Sequence, residues 1–79
     1  MDIGDVRLGR YRHYKGKEYR VIGVARHSET LERLVIYQGL YNSEEFGEKP
    51  LWVRPVALFL AMKRVGDKMV PAFEYLGEE

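Results

Sequence analysis

The residues best equipped for acid–base chemistry lie together in one short run. His27, Ser28 and Glu29 offer a base, a nucleophile and an acid, the three groups that many hydrolases combine. Because adjacent residues of an extended chain point to opposite faces, these three cannot form a catalytic chain without help from His13, the other histidine. A small hydrolase-like enzyme that uses His27 with Ser28 or a bound water is therefore an alternative hypothesis, and no residue is assigned as catalytic.

The residue pattern gives little support for metal or phosphate-loop chemistry. The two histidines are fourteen positions apart and form no His-x-His or His-x-x-x-His pair. The chain contains no cysteine, which excludes zinc ribbons, disulfide scaffolds and thiol catalysis. The glycines are scattered singly and do not cluster at the start of a helix. We therefore predict no metal site and no cofactor.

The N-terminal third combines cations with aromatic rings. The segment 10–15 alternates arginine and lysine with tyrosine and histidine, a pattern typical either of a half-buried strand or of a surface that stacks bases and holds phosphates. Arg26 ends the following strand. It either pairs with Glu29 or Glu32 to close a hairpin, or holds a carboxylate or phosphate together with His27.

A second aromatic and cationic string lies at residues 51–55. In an extended strand Leu51 and Val53 share one face, which we assign to the core. Trp52 and Arg54 share the other face, which is then partly exposed. This pair either forms a binding hot spot, or Arg54 only covers the Trp52 ring.

Short strands separated by turn residues predict a mainly β fold. Gly16 and Gly66 mark turns, Gly23 predicts a bulge, and Pro55 opens a short helical turn near 55–61. The expected strands are 10–14, 18–26, 34–41, 51–54, 62–65 and 69–76. We expect a small SH3-like barrel or roll of five to six antiparallel strands.

The chain of 79 residues allows one small domain, and its ten aromatic rings can supply the core. We expect a flexible N-terminal arm at 1–7 and a single small β-barrel domain at 8–77. The start of the chain lacks the apolar run of a signal peptide, and no stretch approaches the roughly 20 apolar residues of a membrane span. We therefore expect a cytoplasmic protein with no membrane partner.

Ordered motifs extend along most of the chain. They are, in order, Gly9-x-Tyr11-x-His13-Tyr14-Lys15-Gly16-x-x-Tyr19, Val24-Ala25-Arg26-His27-Ser28-Glu29-Thr30, Val35-x-Tyr37-Gln38, Leu51-Trp52-Val53-Arg54-Pro55, and Met62 onward to Pro71-x-Phe73. Over about residues 8–76 the chain resembles the bacterial family called domain of unknown function 1653. The resemblance implies an SH3-like roll and no assigned activity. It also implies a glycine turn after Thr30, where this chain has Leu31-Glu32. Before Phe73 it implies an arginine, where this chain has Ala72 and any anion contact from that position is lost.

The sequence favours a non-catalytic binding module for a polar or anionic ligand, which is a peptide, a nucleic-acid strand or a nucleotide-like molecule. Residues 1–27 carry seven Lys or Arg against three acids, which suits an anionic partner, although the net charge is only +1. The predicted ligand-binding residues are His13, Arg26, His27, Ser28, Glu29, Thr30, Trp52 and Arg54. A further alternative is a protein–protein assembly module, monomeric or weakly dimeric, with an exposed patch of Trp52, Phe59 and Leu60.

Overall fold

The computed structural model describes residues 2–3 and 6–78. In these ranges the chain forms eleven short strands and one helical turn. The elements are β1 (Asp2–Ile3), β2 (Val6–Arg7), β3 (Gly9–His13), β4 (Glu18–Arg26), β5 (Arg33–Gly39), β6 (Asn42–Ser43), β7 (Gly47–Glu48), β8 (Leu51–Pro55), α1 (Val56–Phe59), β9 (Met62–Val65), β10 (Lys68–Pro71) and β11 (Phe73–Gly77).

Five of the strands form one antiparallel sheet in the order β11-β3-β4-β5-β8. This confirms the predicted mainly β class, the antiparallel strands and the short helical turn between residues 55 and 61. The sheet is not a closed barrel, because β11 and β8 lie at its two opposite edges. The remaining strands form three two-stranded ribbons, β1-β2, β6-β7 and β9-β10.

Glycines shape the sheet where the sequence predicted bends. The pairing of β4 with β5 shifts register between Val21 and Gly23, which is the predicted bulge. Gly16, in the turn between β3 and β4, has φ of +117°, a conformation that side chains beyond glycine rarely adopt. The local sequence thus determines where these strands bend and turn.

The core lies on one face of the sheet, here called the inner face, and α1 packs across it. Phe59 of α1 is 1% exposed and stacks on Phe73 of β11, with ring centroids 4.3 Å apart. The buried hydrophobic residues are Val6, Tyr11, Val21, Val35, Tyr37, Val56, Phe59, Ala72 and Phe73. Since Phe59 is buried, the proposed exposed patch of Trp52, Phe59 and Leu60 does not exist as predicted.

The N-terminal segment contributes to this core. Val6 is 0% exposed, so the core begins before the boundary predicted at residue 8. Residues 1, 4 and 5 of the predicted arm lie outside the described residues.

The faces of β8 are opposite to those predicted. Leu51 and Val53, expected in the core, are 64% and 61% exposed. Trp52 and Arg54 are half-buried on the inner face, where Trp52 packs against the core. Both alternating sets of β8 contain apolar residues, and burying a large indole stabilises the fold more than burying a leucine or valine.

The predicted last strand is divided into β10 and β11 at Ala72. This residue is fully buried, its N–H donates to the Ala61 carbonyl at 2.9 Å, and its own carbonyl accepts from the Tyr14 N–H at 2.9 Å. The site therefore holds a small side chain enclosed by the chain itself, where the resemblance implied an arginine. Within the described part of the chain, no helix has the length and apolar character that crossing a membrane requires.

Candidate anion-binding site

The polar string at residues 26–32, here called the β4–β5 turn, is closed by its own hydrogen bonds. The Arg26 guanidinium donates to the Leu31 carbonyl at 2.9 Å, instead of pairing with Glu29 or Glu32. Nδ1 of His27 accepts from the backbone N–H groups of Glu29 and Thr30 at 3.0 and 3.3 Å. These side chains satisfy the backbone of a turn.

The same turn does not assemble the pair that a hydrolase needs. The Ser28 hydroxyl donates to the Glu29 carboxylate, while Nδ1 of His27 is occupied by backbone donors. Thr30 accepts the Glu32 N–H at 3.2 Å through its hydroxyl oxygen. A nucleophile activated by His27 would require Ser28 to bond to the imidazole, and the turn uses both groups for other contacts.

Other predicted residues converge at the inner face. We call His13, Tyr19, Tyr37, Tyr41, Trp52, Arg54 and Phe73 the inner-face cluster. The ring of Phe73 lies at its centre, 4.9 Å from the His13 ring and 5.5 Å from the Tyr37 ring. Arg54 lies over Phe73 with its guanidinium carbon 5.1 Å from the ring centroid, and 6.0 Å from that of Tyr37. Arg54 therefore covers the rings of Phe73 and Tyr37. One alternative from the sequence had proposed that it covers the ring of Trp52 instead.

Arg54 has unusual electrostatic surroundings for a half-buried cation. Buried arginines are usually paired with a carboxylate. Among residues 6–78, no carboxylate lies within ion-pair distance of Arg54. Its guanidinium lies over the faces of the Phe73 and Tyr37 rings. The guanidinium therefore keeps capacity for an anion.

A chain of polar aromatic groups borders this cation. Nε1 of Trp52 donates to the Tyr41 hydroxyl at 3.2 Å, which donates to the Tyr19 hydroxyl at 3.3 Å. Burial and the hydrogen bond with Tyr41 raise the pKa of Tyr19 well above its usual range. Burial also raises the pKa of Tyr37, opposed by the positive charge of Arg54. Tyr19 and Tyr37 thus remain neutral at physiological pH.

His13 reports a positive electrostatic environment. Burial is the main cause that lowers the pKa of His13, and the charges of Arg54, Lys15 and Lys63 lower it further. Its Nδ1 accepts the Lys15 N–H at 3.1 Å, which leaves Nε2 as the remaining polar atom of the ring. The imidazole of His13 therefore lies in the positive field of three cations.

The structure divides the residues predicted from sequence into two groups. His13, Trp52 and Arg54 meet in the inner-face cluster. Arg26 to Thr30 lie at the C-terminal end of β4 and in the following turn, where their side chains bond within the turn and not to the cluster. Residues that the sequence analysis did not assign to the site are Lys15, Tyr19, Tyr37, Tyr41, Lys63 and Phe73. Lys15 lay within the alternating segment 10–15, but Phe73 reaches the cluster only because β11 pairs with β3, which is distant in sequence.

Comparison with known proteins identifies the family. The sequence profile of a family described as "Protein of unknown function (DUF1653)" matches residues 9–75. This chain belongs to the DUF1653 family. A crystal structure of a DUF1653 protein from Bordetella bronchiseptica is 36% identical, with a TM-score of 0.85 over 96% of this chain and 94% of that one. No curated protein matches the sequence.

Membership in the DUF1653 family confirms the resemblance and implies no activity. Within the described residues, no three histidine or carboxylate side chains are grouped as metal ligands. The inner-face cluster instead offers donors and positive charge: a guanidinium, tyrosine hydroxyls and nearby ammonium groups. Such a set can bind and orient an anion.

Proposed function

We propose that this DUF1653 domain is a non-catalytic binding module, with a fold of SH3-like character, that holds an anionic ligand at the inner-face cluster. The ligand's negative charge lies against Arg54, and its other polar atoms accept from the neighbouring hydroxyl and imidazole groups. The proposal includes a cytoplasmic location, because a cysteine-free composition suits a reducing compartment.

One observation carries the proposal: Arg54 is half-buried and has no carboxylate partner among the described residues. Other arginines of the sheet are paired with acids, Arg10 with Glu18 at 3.7 Å and Arg12 with Glu74 at 3.4 Å. Partly desolvating a cation costs free energy, and ring faces offset only part of this cost. An external anion would supply the missing charge.

The cations around His13 support the same interpretation. Lys15, Arg54 and Lys63 all act on this imidazole, and no carboxylate contributes to the shift of its pKa. The rings of Tyr37 and Phe73 restrict water on one side of Arg54, which strengthens a charge-assisted hydrogen bond there. An anionic ligand is stabilised both by these cations and by the restricted access of water to Arg54.

Titration with inorganic phosphate tests the proposal, with binding followed by amide chemical shifts at constant pH and ionic strength. In Arg54→Gln, we expect phosphate to bind at least about tenfold more weakly than in the wild-type protein, since a hydrogen bond to a charged group contributes about 1.5–3 kcal/mol. The Arg54→Lys variant keeps the charge but not the planar fork, and we expect intermediate affinity.

Arg26→Gln is the matched control, because Arg26 is an exposed arginine on the same sheet that bonds within the β4–β5 turn. We expect its phosphate affinity to stay within about twofold of the wild-type value. Equal affinities in wild type and Arg54→Gln, with both proteins folded, would contradict the proposal. So would a loss confined to Arg26→Gln.

A further inference from the structure

A groove lies beside the inner-face cluster, between the β3–β4 turn and the β9–β10 hairpin. Its volume is about 530 Å³, within the usual range for sites that hold small organic ligands. The lining residues are Arg12, His13, Tyr14, Lys15, Gly16, Val65, Val70, Pro71 and Glu74. His13 belongs to both the groove and the cluster, so the groove adjoins the cluster.

One wall of the groove presents aromatic rings. The rings of His13 and Tyr14 lie 4.6 Å apart, tilted by 36°. Tyr14 is 38% exposed, so part of its ring remains available. The Lys15 ammonium lies 5.9 Å from the Tyr14 ring centroid. A flat ring can stack on this wall with an ammonium group beside it.

The β9–β10 hairpin forms the opposite wall and combines apolar surface with cations. Val65 and Val70 line the groove. Because residues directly opposite each other in an antiparallel pair share a face, Lys63, opposite Val70, and Lys68, opposite Val65, lie on the groove side of this hairpin. The effect of Lys63 on the pKa of His13 agrees with this placement.

The charge of the groove is mainly positive. Glu74 is its only acidic lining residue among those described, and it is paired with Arg12 at 3.4 Å. Lys15 and Lys63 have no carboxylate within ion-pair distance among residues 6–78. The groove therefore joins a stacking surface, an apolar wall and unpaired ammonium groups.

We infer that the groove binds a nucleotide unit, a planar base joined to a phosphate. The base lies between Tyr14 and the apolar wall of Val65 and Val70, and the phosphate points toward Lys15, Lys63 and His13. This assignment rests on the proposed anion site and names the class of ligand that it accepts. Free nucleotides and the nucleotides of a single strand share this chemistry.

The rings and the apolar wall favour a nucleotide over other anions. A simple anion or an acidic peptide would use the ammonium groups and leave the exposed part of the Tyr14 ring unused. Stacking of a base on an aromatic side chain contributes about 1–3 kcal/mol. The groove also has room for more than an isolated phosphate.

The test compares adenosine monophosphate, adenosine and inorganic phosphate as ligands of the full chain at constant pH, with amide shifts as the readout. We expect the nucleotide to bind about tenfold more tightly than either fragment. In Tyr14→Leu this advantage over phosphate is lost, while phosphate affinity is retained. The comparison variant is Phe46→Leu, which removes another exposed ring, one that packs on Trp52 outside the groove; we expect it to keep the advantage of the nucleotide over phosphate.

A short single-stranded oligonucleotide distinguishes the two sources. Binding much tighter than that of the mononucleotide assigns the site to a strand, and equal binding assigns it to free nucleotides. If the nucleotide and phosphate bind equally, the nucleotide assignment fails while the anion site stands. The assignment is also overturned if an acidic peptide binds more tightly than the nucleotide, or if nucleotide affinity is unchanged in Tyr14→Leu. If phosphate affinity is the same in the wild-type protein and in Arg54→Gln, the proposed function itself is refuted.

Discussion

The β4–β5 turn and the inner-face cluster both contain arginine and histidine, yet they differ in how these groups are satisfied. In the turn, Arg26 and His27 bond to backbone groups within a few residues. In the cluster, Arg54 and His13 lie against Phe73, a residue of the edge strand β11. The turn satisfies its polar groups locally, whereas the cluster keeps a cation without a carboxylate.

This difference shows how similar residue types take different roles. A polar run that bonds to its own backbone stabilises a turn and leaves few groups for a ligand. A half-buried cation on aromatic rings retains charge that an external group can neutralise. Substitutions in the two regions should therefore have different effects on stability and on anion binding.

The largest effect is expected at Phe73, which contacts Phe59, His13, Tyr37 and Arg54. Replacing it with alanine removes a buried ring, and we expect Phe73→Ala to lower the free energy of unfolding by about 3–5 kcal/mol. Urea denaturation followed by the fluorescence of Trp52 measures this change. Thr30→Ala in the β4–β5 turn serves as the comparison, with an expected loss of at most about 1 kcal/mol. Equal losses of unfolding free energy in Phe73→Ala and Thr30→Ala would show that the Phe73 ring stabilises the fold no more than the Thr30 side chain does.

A smaller effect of opposite sign is expected in the turn. Leu31 has φ of +64°, a left-handed conformation that costs a side chain beyond glycine about 1–2 kcal/mol. The family resemblance implied a glycine after Thr30, and Leu31 is where the backbone requires one. We expect Leu31→Gly to raise the free energy of unfolding by about 0.5–1 kcal/mol, since the greater freedom of glycine in the unfolded chain offsets part of the gain.

Urea denaturation measures this change as well. Phosphate affinity provides the control and should not change, because the polar side chains of the turn bond within the turn and not to the cluster. A Leu31→Gly protein that is less stable than the wild type would show that the leucine side chain contributes contacts outweighing the backbone strain.

The sequence predicted the elements well where the signals were local. Gly16 and Gly23 marked a turn and a bulge, and Pro55 directly preceded α1. The orientation of β8 was not predictable in the same way, because Leu51 and Val53 are as suited to a core as Trp52. Contacts on the inner face with residues distant in sequence decide which of the two alternating sets of β8 side chains is buried.

The site was only partly predictable for a related reason. His13, Trp52 and Arg54 were identified as candidates from their types and neighbours. Phe73, which joins His13 to Arg54, comes from a strand about 20 to 60 residues away in sequence, and only the pairing of β11 with β3 places it there. Arg26 to Thr30 were included in the predicted site because hydrogen bonds within a turn cannot be distinguished from ligand groups by residue type alone.

The most direct test of the central claim uses the two histidines, since one lies in each region. Imidazole ring signals of both are followed by NMR in a pH titration, with and without sulfate, whose charge is constant over this range. Without sulfate, burial and the charges of Arg54, Lys15 and Lys63 keep the pKa of His13 below 6.5. A bound anion favours the imidazolium, so sulfate raises the pKa of His13, and sulfate affinity increases as pH falls through it.

We predict that sulfate shifts the ring signals of His13 and moves the titration midpoint of His13 to higher pH. At any given pH, the ring signals of His27 should be the same with and without sulfate. His13→Gln should abolish the pH dependence of sulfate affinity and leave weaker binding through Arg54. Sulfate-dependent shifts at His27 with none at His13 would contradict the account and place the anion in the β4–β5 turn.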